Sequence, residues 1–127
     1  MTLVDLVALL ALLQYFVFSA LVGRARGRYG VQAPAVTGHE MFERAYRVQM
    51  NTLELLVMLL PALYVAARYW SPTLVAAVGA VYLVGRLLYQ RSYMAEPRGR
   101  GAGFVLSALP CLLLVGAGLL GALRALF

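Results

Sequence analysis

The stretch Phe104–Leu123, FVLSALPCLLLVGAGLLGAL, carries no charge and a single strongly polar side chain, Ser107. A helix rising about 1.5 Å per residue crosses the roughly 30 Å hydrocarbon core of a bilayer in about 20 residues. This segment has that length and that composition. Outward from it lie three more apolar stretches. Leu3–Val22 is broken only by Asp5, Gln14 and Ser19; Thr52–Ala67 is shorter, but a polar helical lead-in over Glu40–Met50 extends it; Thr73–Leu88 is apolar until Arg86. None shows the strict alternation of a barrel strand, and helices and closed barrels alone satisfy their backbone groups in lipid. The sequence therefore predicts an all-α, integral-membrane four-helix bundle. It reads as one domain over residues 1–127, with spans at about 3–22, 48–68, 73–91 and 104–123.

Composition agrees. Of 127 residues, 63% are apolar and only 13% charged, against about 25% charged in an average globular chain. A soluble domain of this size has too much surface to cover with so few polar side chains. The net charge is +6, all of the excess coming from arginine, with no lysine. A nucleic-acid partner would need a soluble basic face, which is missing, so none is expected. With one cysteine, Cys111, and one histidine, His39, neither an intrachain disulfide nor a thiolate metal site is expected. Both residues read as structural.

The first span has Asp5 at its amino end and its bases, Arg24, Arg26 and Arg28, after the apolar run. A signal peptide has the reverse order, so this span reads as a retained helix. Arginines crowd the first connection (Arg24, Arg26, Arg28, Arg44, Arg47) and the third (Arg91, Arg98, Arg100), while the second holds Arg68 and the carboxyl end Arg124. Positive-inside sorting then puts the first and third connections in the cytoplasm and both termini outside. An all-arginine, alanine-rich chain points to a GC-rich bacterium, and hence to the inner membrane with periplasmic termini. Breakers mark the connections: Tyr29–Gly38, a tight turn at Tyr69–Pro72, and the glycine-rich Glu96–Gly103. Pro61 and Pro110 are expected to kink their helices, and Gly116, Gly118 and Gly121 to allow close packing of the fourth.

Ionisable groups at membrane depth are costly and usually face a bundle interior or a water-filled site. Arg44, Arg47, Asn51 and Glu54 recur at helical steps of three, four and three, on one face of the second helix. Arg86, Tyr89 and Tyr93 do the same on the third, with Gln90 beside them. Two such faces meeting near the arginine-rich end would offer guanidinium donors for carboxylates, one carboxylate for an ammonium, amides and phenols. That set complements a small zwitterionic anion of peptide size, while the apolar walls admit a lipophilic ligand from the bilayer. The plainer alternative is that Glu54 and Arg86 pair across helices as structural glue. Tyr69 and Trp70 read as interfacial belt aromatics, and Arg24, Arg26 and Arg28 as topology signals and headgroup contacts.

FERAYRVQMNTLELL (Phe42–Leu56) followed by VYLVGRLLYQRSYMAEPRGRGAG (Val81–Gly103) resembles the MAPEG superfamily, the membrane-associated proteins of eicosanoid and glutathione metabolism. The similarity covers essentially the whole chain and is strongest to the branch of microsomal glutathione transferase type 3 and leukotriene C4 synthase. The resemblance implies a homotrimer that binds glutathione between subunits near the cytoplasmic side. Arg47, Gln49, Asn51 and Glu54 match the glutathione-contacting positions of the second helix, and Arg86, Tyr89 and Tyr93 those of the third. Arg26, with Arg28 as the alternative register, matches a basic contact at the end of the first helix. Arg100, with Arg98 as the alternative, matches the arginine that stabilises the thiolate. Leu55 and Ser92 depart from the pattern, standing where relatives have tyrosine and glycine.

The activity so implied is glutathione transfer to lipophilic electrophiles, or reduction of lipid hydroperoxides, with glutathione as co-substrate and membrane lipid around it. A non-catalytic lipid-presenting protein of the five-lipoxygenase-activating type is the alternative. A small proton-coupled exporter ranks last, because the only carboxylate of the first helix, Asp5, sits at its edge.

Overall fold

The computed structural model describes residues 1–127 and contains four long helices: α1 (Thr2–Tyr29), α2 (Glu40–Tyr69), α3 (Pro72–Ala95) and α4 (Gly101–Leu126). A 3-10 turn at Pro97–Arg100 leads into α4. All four are long and apolar enough to cross a membrane. Even the shortest, with 24 residues, reaches about 36 Å at 1.5 Å per residue, more than a roughly 30 Å hydrocarbon layer. The overhang falls largely at one end. Arg24, Arg26 and Arg28 remain helical at the end of α1, Glu40–Met50 forms the first turns of α2 as the sequence suggests, and α3 continues to Ala95.

The helix ends follow local chemistry. Gly30 closes α1 in the left-handed region, φ 69°, a conformation that costs glycine little. His39 caps α2, its Nδ1 accepting from the Met41 amide at 3.1 Å, and its ring stacks on Tyr29. Ser71 caps α3 with Pro72 in the first turn, so the second connection is as tight as the breakers imply. Arg44 donates to the Met94 and Ala95 carbonyls at 2.8 and 3.2 Å, satisfying the end of α3 from α2.

α2 and α3 pack against each other and each against both α1 and α4. The main core runs through Val4, Ala11, Leu59, Leu63, Ala66 and Tyr82. Large apolar side chains cover the outside instead: Phe16 is 68% and Leu112 69% exposed. In water such a surface would aggregate; in lipid it costs nothing, and helix association rests on close packing and polar ties.

Two glycines bring a pair of helix backbones into contact. A methyl group at Gly85 would lie 2.7 Å from the Leu106 carbonyl carbon and Ser107 nitrogen, and one at Gly103 2.5 Å from the Tyr89 nitrogen. Here α3 and α4 meet backbone to backbone. This corrects two readings of the sequence. Gly101–Gly103 is not loop but the first turn of α4, because Gly103 is held against α3. Of the later glycines, Gly118 and Gly121 do sit against α2, at Val65 and Tyr69, but Gly116 faces open space. Pro61 and Pro110 lie inside helices that continue through them, which neighbouring helices make tolerable. Trp70 is tied down rather than free in the interface, its indole N–H donating to the Ala117 carbonyl at 2.8 Å.

Gly103→Ala should lower stability in detergent by about 2 kcal/mol, as overpacking does. Gly116→Ala, with room for its methyl, should be neutral or gain up to about 1 kcal/mol of helix propensity. Thermal or denaturant unfolding of the two variants checks the contrast.

Candidate functional site

Arg86 is fully buried, 0% exposed, at the centre of three helices. Its Nε donates to Ser107 Oγ of α4 at 3.0 Å, and its Nη1 to Asn51 Oδ1 and Thr52 Oγ1 of α2 at 2.8 and 3.2 Å. Each hydroxyl can accept because its own proton goes back along its helix, Thr52 to the Val48 carbonyl at 2.7 Å and Ser107 to that of Gly103 at 2.6 Å. The guanidinium carbon lies 4.2 Å over the Tyr89 ring. Nη2 is buried without a partner, and no carboxylate pairs with this arginine. The cradle is neutral, so the positive charge stays uncompensated.

The stripe of α2 divides. At about 100° per residue, the ten residues from Arg44 to Glu54 drift by about 80°. Arg44 and Asn51 occupy the inner edge, turned to α3; Arg47 and Glu54 occupy the outer edge. The latter pair bond each other at 3.5 Å, with side chains 53% and 54% exposed. Glu54 therefore pairs with Arg47, and the Glu54–Arg86 bridge considered from the sequence does not form. Gln49 points another way again. Its Nε2 donates to Ser19 Oγ of α1 at 3.0 Å, and Ser19 in turn donates to the Tyr15 carbonyl.

On α3, Tyr89 is buried and stacks on half-buried Tyr93 with ring centroids 5.5 Å apart. Phe104 of α4 packs on Tyr89 with its ring tilted, the centroids 6.5 Å apart. Arg100 is exposed on the 3-10 turn, three and four residues before the two side chains or backbones of α4 that meet Tyr89; its Nη1 donates to the Pro97 carbonyl at 3.1 Å. Arg98 is exposed on the same turn. Arg26 is half-buried at the end of α1, donating to the Ala35 carbonyl at 2.7 Å with its guanidinium 4.7 Å over Phe42.

The structure thus joins Asn51, Arg86, Tyr89 and Tyr93 in one cluster, with Arg47, Glu54 and Arg100 exposed around that part of the bundle. Gln49 of α2 and Arg26 of α1 stand apart from it, at the contact between α1 and α2. Arg86 reaches no surface; it acts on its surroundings through what it holds, Asn51, Thr52, Ser107 and the Tyr89 ring. The sequence reading did not anticipate Thr52 and Ser107 as its acceptors. The signal was available in Ser107, the lone strongly polar side chain of the most apolar span, since such a group in lipid needs an internal partner. No group of His, Cys, Asp and Glu side chains comes together to hold a metal.

Ser107→Ala leaves the charged Nε without an acceptor, and hydrogen bonds to charged groups contribute about 1.5–3 kcal/mol. The variant should lose about 2 kcal/mol of stability. Thr52→Val should lose about 1 kcal/mol, because Asn51 still serves Nη1. In an Arg86→Met background the Ser107→Ala cost should shrink below about 0.5 kcal/mol, a coupling read from a double-mutant cycle of unfolding midpoints.

The model of the MAPEG family matches residues 4–120, which reach into all four helices. An uncharacterised protein of Synechocystis sp. is 48% identical over 93% of this chain and 86% of its own length. Human microsomal glutathione S-transferase 2 is 38% identical over 87% of this chain and 77% of its length. Leukotriene C4 synthase of Cavia porcellus is likewise 38% identical, over 92% and 78%. With four helices apolar enough to cross a membrane and the family model matching nearly the whole chain, this integral multi-pass membrane protein belongs to the MAPEG family.

Proposed function

We propose that this protein is a membrane-bound glutathione transferase that activates the glutathione thiol for attack on lipophilic electrophiles or lipid hydroperoxides. The observation that carries this reading is the charge balance of the site. Arg47 and Arg100 stand exposed near one carboxylate, Glu54, at the arginine-rich end of the bundle, with the buried, uncompensated charge of Arg86 behind them. Glutathione brings two carboxylates, one ammonium and a thiol, the mirror of that set. Transferase activity in a relative at 38% identity supports the same substrate.

A second geometric point favours a shared site. On α2, Gln49 lies about 200° around the helix from Arg47, at about 100° per residue. Arg26 follows Ser19, the partner of Gln49, by seven residues, so both occupy one face of α1. A single small ligand cannot reach both sets on one chain. Between two copies it can, with Arg47, Glu54 and Tyr93 from one and Gln49 and Arg26 from the next. A closed ring of three copies, the homotrimer the resemblance implies, provides three such seams. The arginine-rich end then faces the cytoplasm of a bacterial inner membrane, with both termini periplasmic.

In the mechanism, Arg47 and Arg26 hold the tripeptide's carboxylates and Glu54 its ammonium, while Arg86 fixes Asn51 and Tyr89 from behind. A free thiol ionises near pH 8.5 and only the thiolate attacks efficiently. Arg100, swung from its own turn to the sulfur, favours the charged form. The thiolate then forms a carbon–sulfur bond as the electrophile opens or expels its leaving group. With a hydroperoxide it attacks oxygen, the O–O bond breaks to leave the lipid alcohol, and a second glutathione converts the sulfenic product to disulfide and water.

The test is ultraviolet difference spectroscopy of the purified protein titrated with glutathione across pH. Because the thiol pKa is lowered, the thiolate band should be present at pH 7 and disappear as pH falls through that lowered value. In Arg100→Ala the band should be lost at pH 7 and return only as pH rises toward about 8.5. If Arg98→Ala behaves so instead, the role belongs to Arg98. Arg47→Ala should raise the half-saturating glutathione concentration about tenfold, the equivalent of about 1.4 kcal/mol. Glutathione binding with no thiolate band in the parent protein would point to the lipid-presenting alternative, and no binding would sink the proposal.

A further inference from the structure

The arginine-rich end also holds a hollow that the thiol chemistry does not use. It measures about 220 Å³ and opens between α1, α2 and α3. Phe18 and Leu21 of α1, Val48 of α2 and Met94 of α3 wall it, and the small side chains of Ala25 and Ala45 leave it unfilled. Arg24 and Arg28, both exposed, stand at its mouth.

The charge at that mouth is unanswered. No acidic side chain lines the hollow, and the chain's ion pairs, Arg44–Glu40 and Arg47–Glu54, involve neither arginine. Arg28 lies 5.5 Å over the ring of Tyr29. Four residues apart, the two arginines rise from one face of the helix, a spacing at which like charges disfavour a helix unless an anion answers them. Arg26, two residues from each, faces away and is committed to the Ala35 carbonyl. Along α1, Phe18 and Arg28 are separated by about 15 Å at 1.5 Å per residue. The hollow therefore runs from apolar depth to the level of the charges, as a lipid does from chain to headgroup.

We infer that this hollow binds one anionic phospholipid, its phosphate held between Arg24 and Arg28 and one acyl chain lying along Phe18, Val48 and Met94. Two guanidinium groups supply planar donor pairs for the phosphate oxygens, and basic pockets between membrane helices are built for such headgroups. Every methylene that enters displaces contact with the bulk bilayer by contact with a fixed wall, and the like-charge strain on α1 is relieved. The inference needs only that the protein spans a membrane and stands apart from the glutathione reading.

Native mass spectrometry of the full-length protein from detergent, with dioleoyl phosphatidylglycerol and dioleoyl phosphatidylcholine added in turn, tests it. Phosphatidylglycerol should remain bound at a fraction at least about tenfold above phosphatidylcholine. Arg24→Gln/Arg28→Gln should abolish that preference, while Arg91→Gln, which removes an exposed arginine outside the hollow, should leave it intact. Ala45→Leu fills the hollow without touching the charges and should weaken binding about tenfold. Should that variant not fold, Met41→Trp at the rim serves the same purpose. Equal retention of the two lipids, or full retention in the filled variant, would overturn the site. Displacement by soluble glycerol 1-phosphate would show that the arginines hold a phosphate without a chain, which also overturns it.

Discussion

A guanidinium inside a membrane bundle cannot rely on water, so its donors must find acceptors before the helices can settle. Arg86 solves this with two hydroxyls and an amide from two neighbouring helices rather than with a carboxylate. The solution fixes more than one side chain. Ser107 reaches Nε only because α3 and α4 touch backbone to backbone through Gly85 and Gly103. Thr52 and Asn51 reach Nη1 only at one register of α2 against α3. A slip of a residue in any of the three helices would strand a buried charge, which is far costlier than losing one apolar contact. The cradle thus does for register what a hydrophobic core in lipid cannot do, since lipid and core are equally apolar.

The same economy governs what the site can be. A buried ion pair would have cancelled the charge; the neutral cradle preserves it and holds Asn51 and the Tyr89 ring in place. The uncompensated charge lies inside, and Arg47, Glu54 and Arg100 lie outside on exposed positions. Charged groups at the rim, backed by a buried arginine with no counter-ion, leave this end of the bundle with an excess of positive charge.

Much of this was legible in the sequence. Phe104–Leu123 and its three companions give the helices, and the steps from Arg44 to Glu54 and from Arg86 to Tyr93 give the polar stripes. Three things were not legible, each for a physical reason. Drift along α2 separates Arg44 and Asn51 from Arg47 and Glu54, because steps of three, four and three do not close on whole turns. A glycine reads the same whether it touches a backbone or open space, so the sequence does not tell Gly103, packed on α3, from Gly116, which faces open space. And hydroxyls such as Thr52 look unremarkable in a helix, where they satisfy themselves on the preceding turn; only the fold reveals that their lone pairs are spoken for.

The three arginines at the end of α1 show where counting charge stops informing and placing it begins. For insertion they act as one block, since orientation depends on how many bases flank a span. Once the helix has formed, residues two apart lie about 200° from each other around the axis and residues four apart lie side by side. Arg24 and Arg28 consequently share one face, over an apolar hollow, while Arg26 is carried to the opposite one, over Phe42 and in line with Ser19 and Gln49. A strand or a loop would have left the same residues interchangeable. The helix sets them on two faces, one over the hollow and one against α2, and it does so only because α1 continues in regular turns to Tyr29.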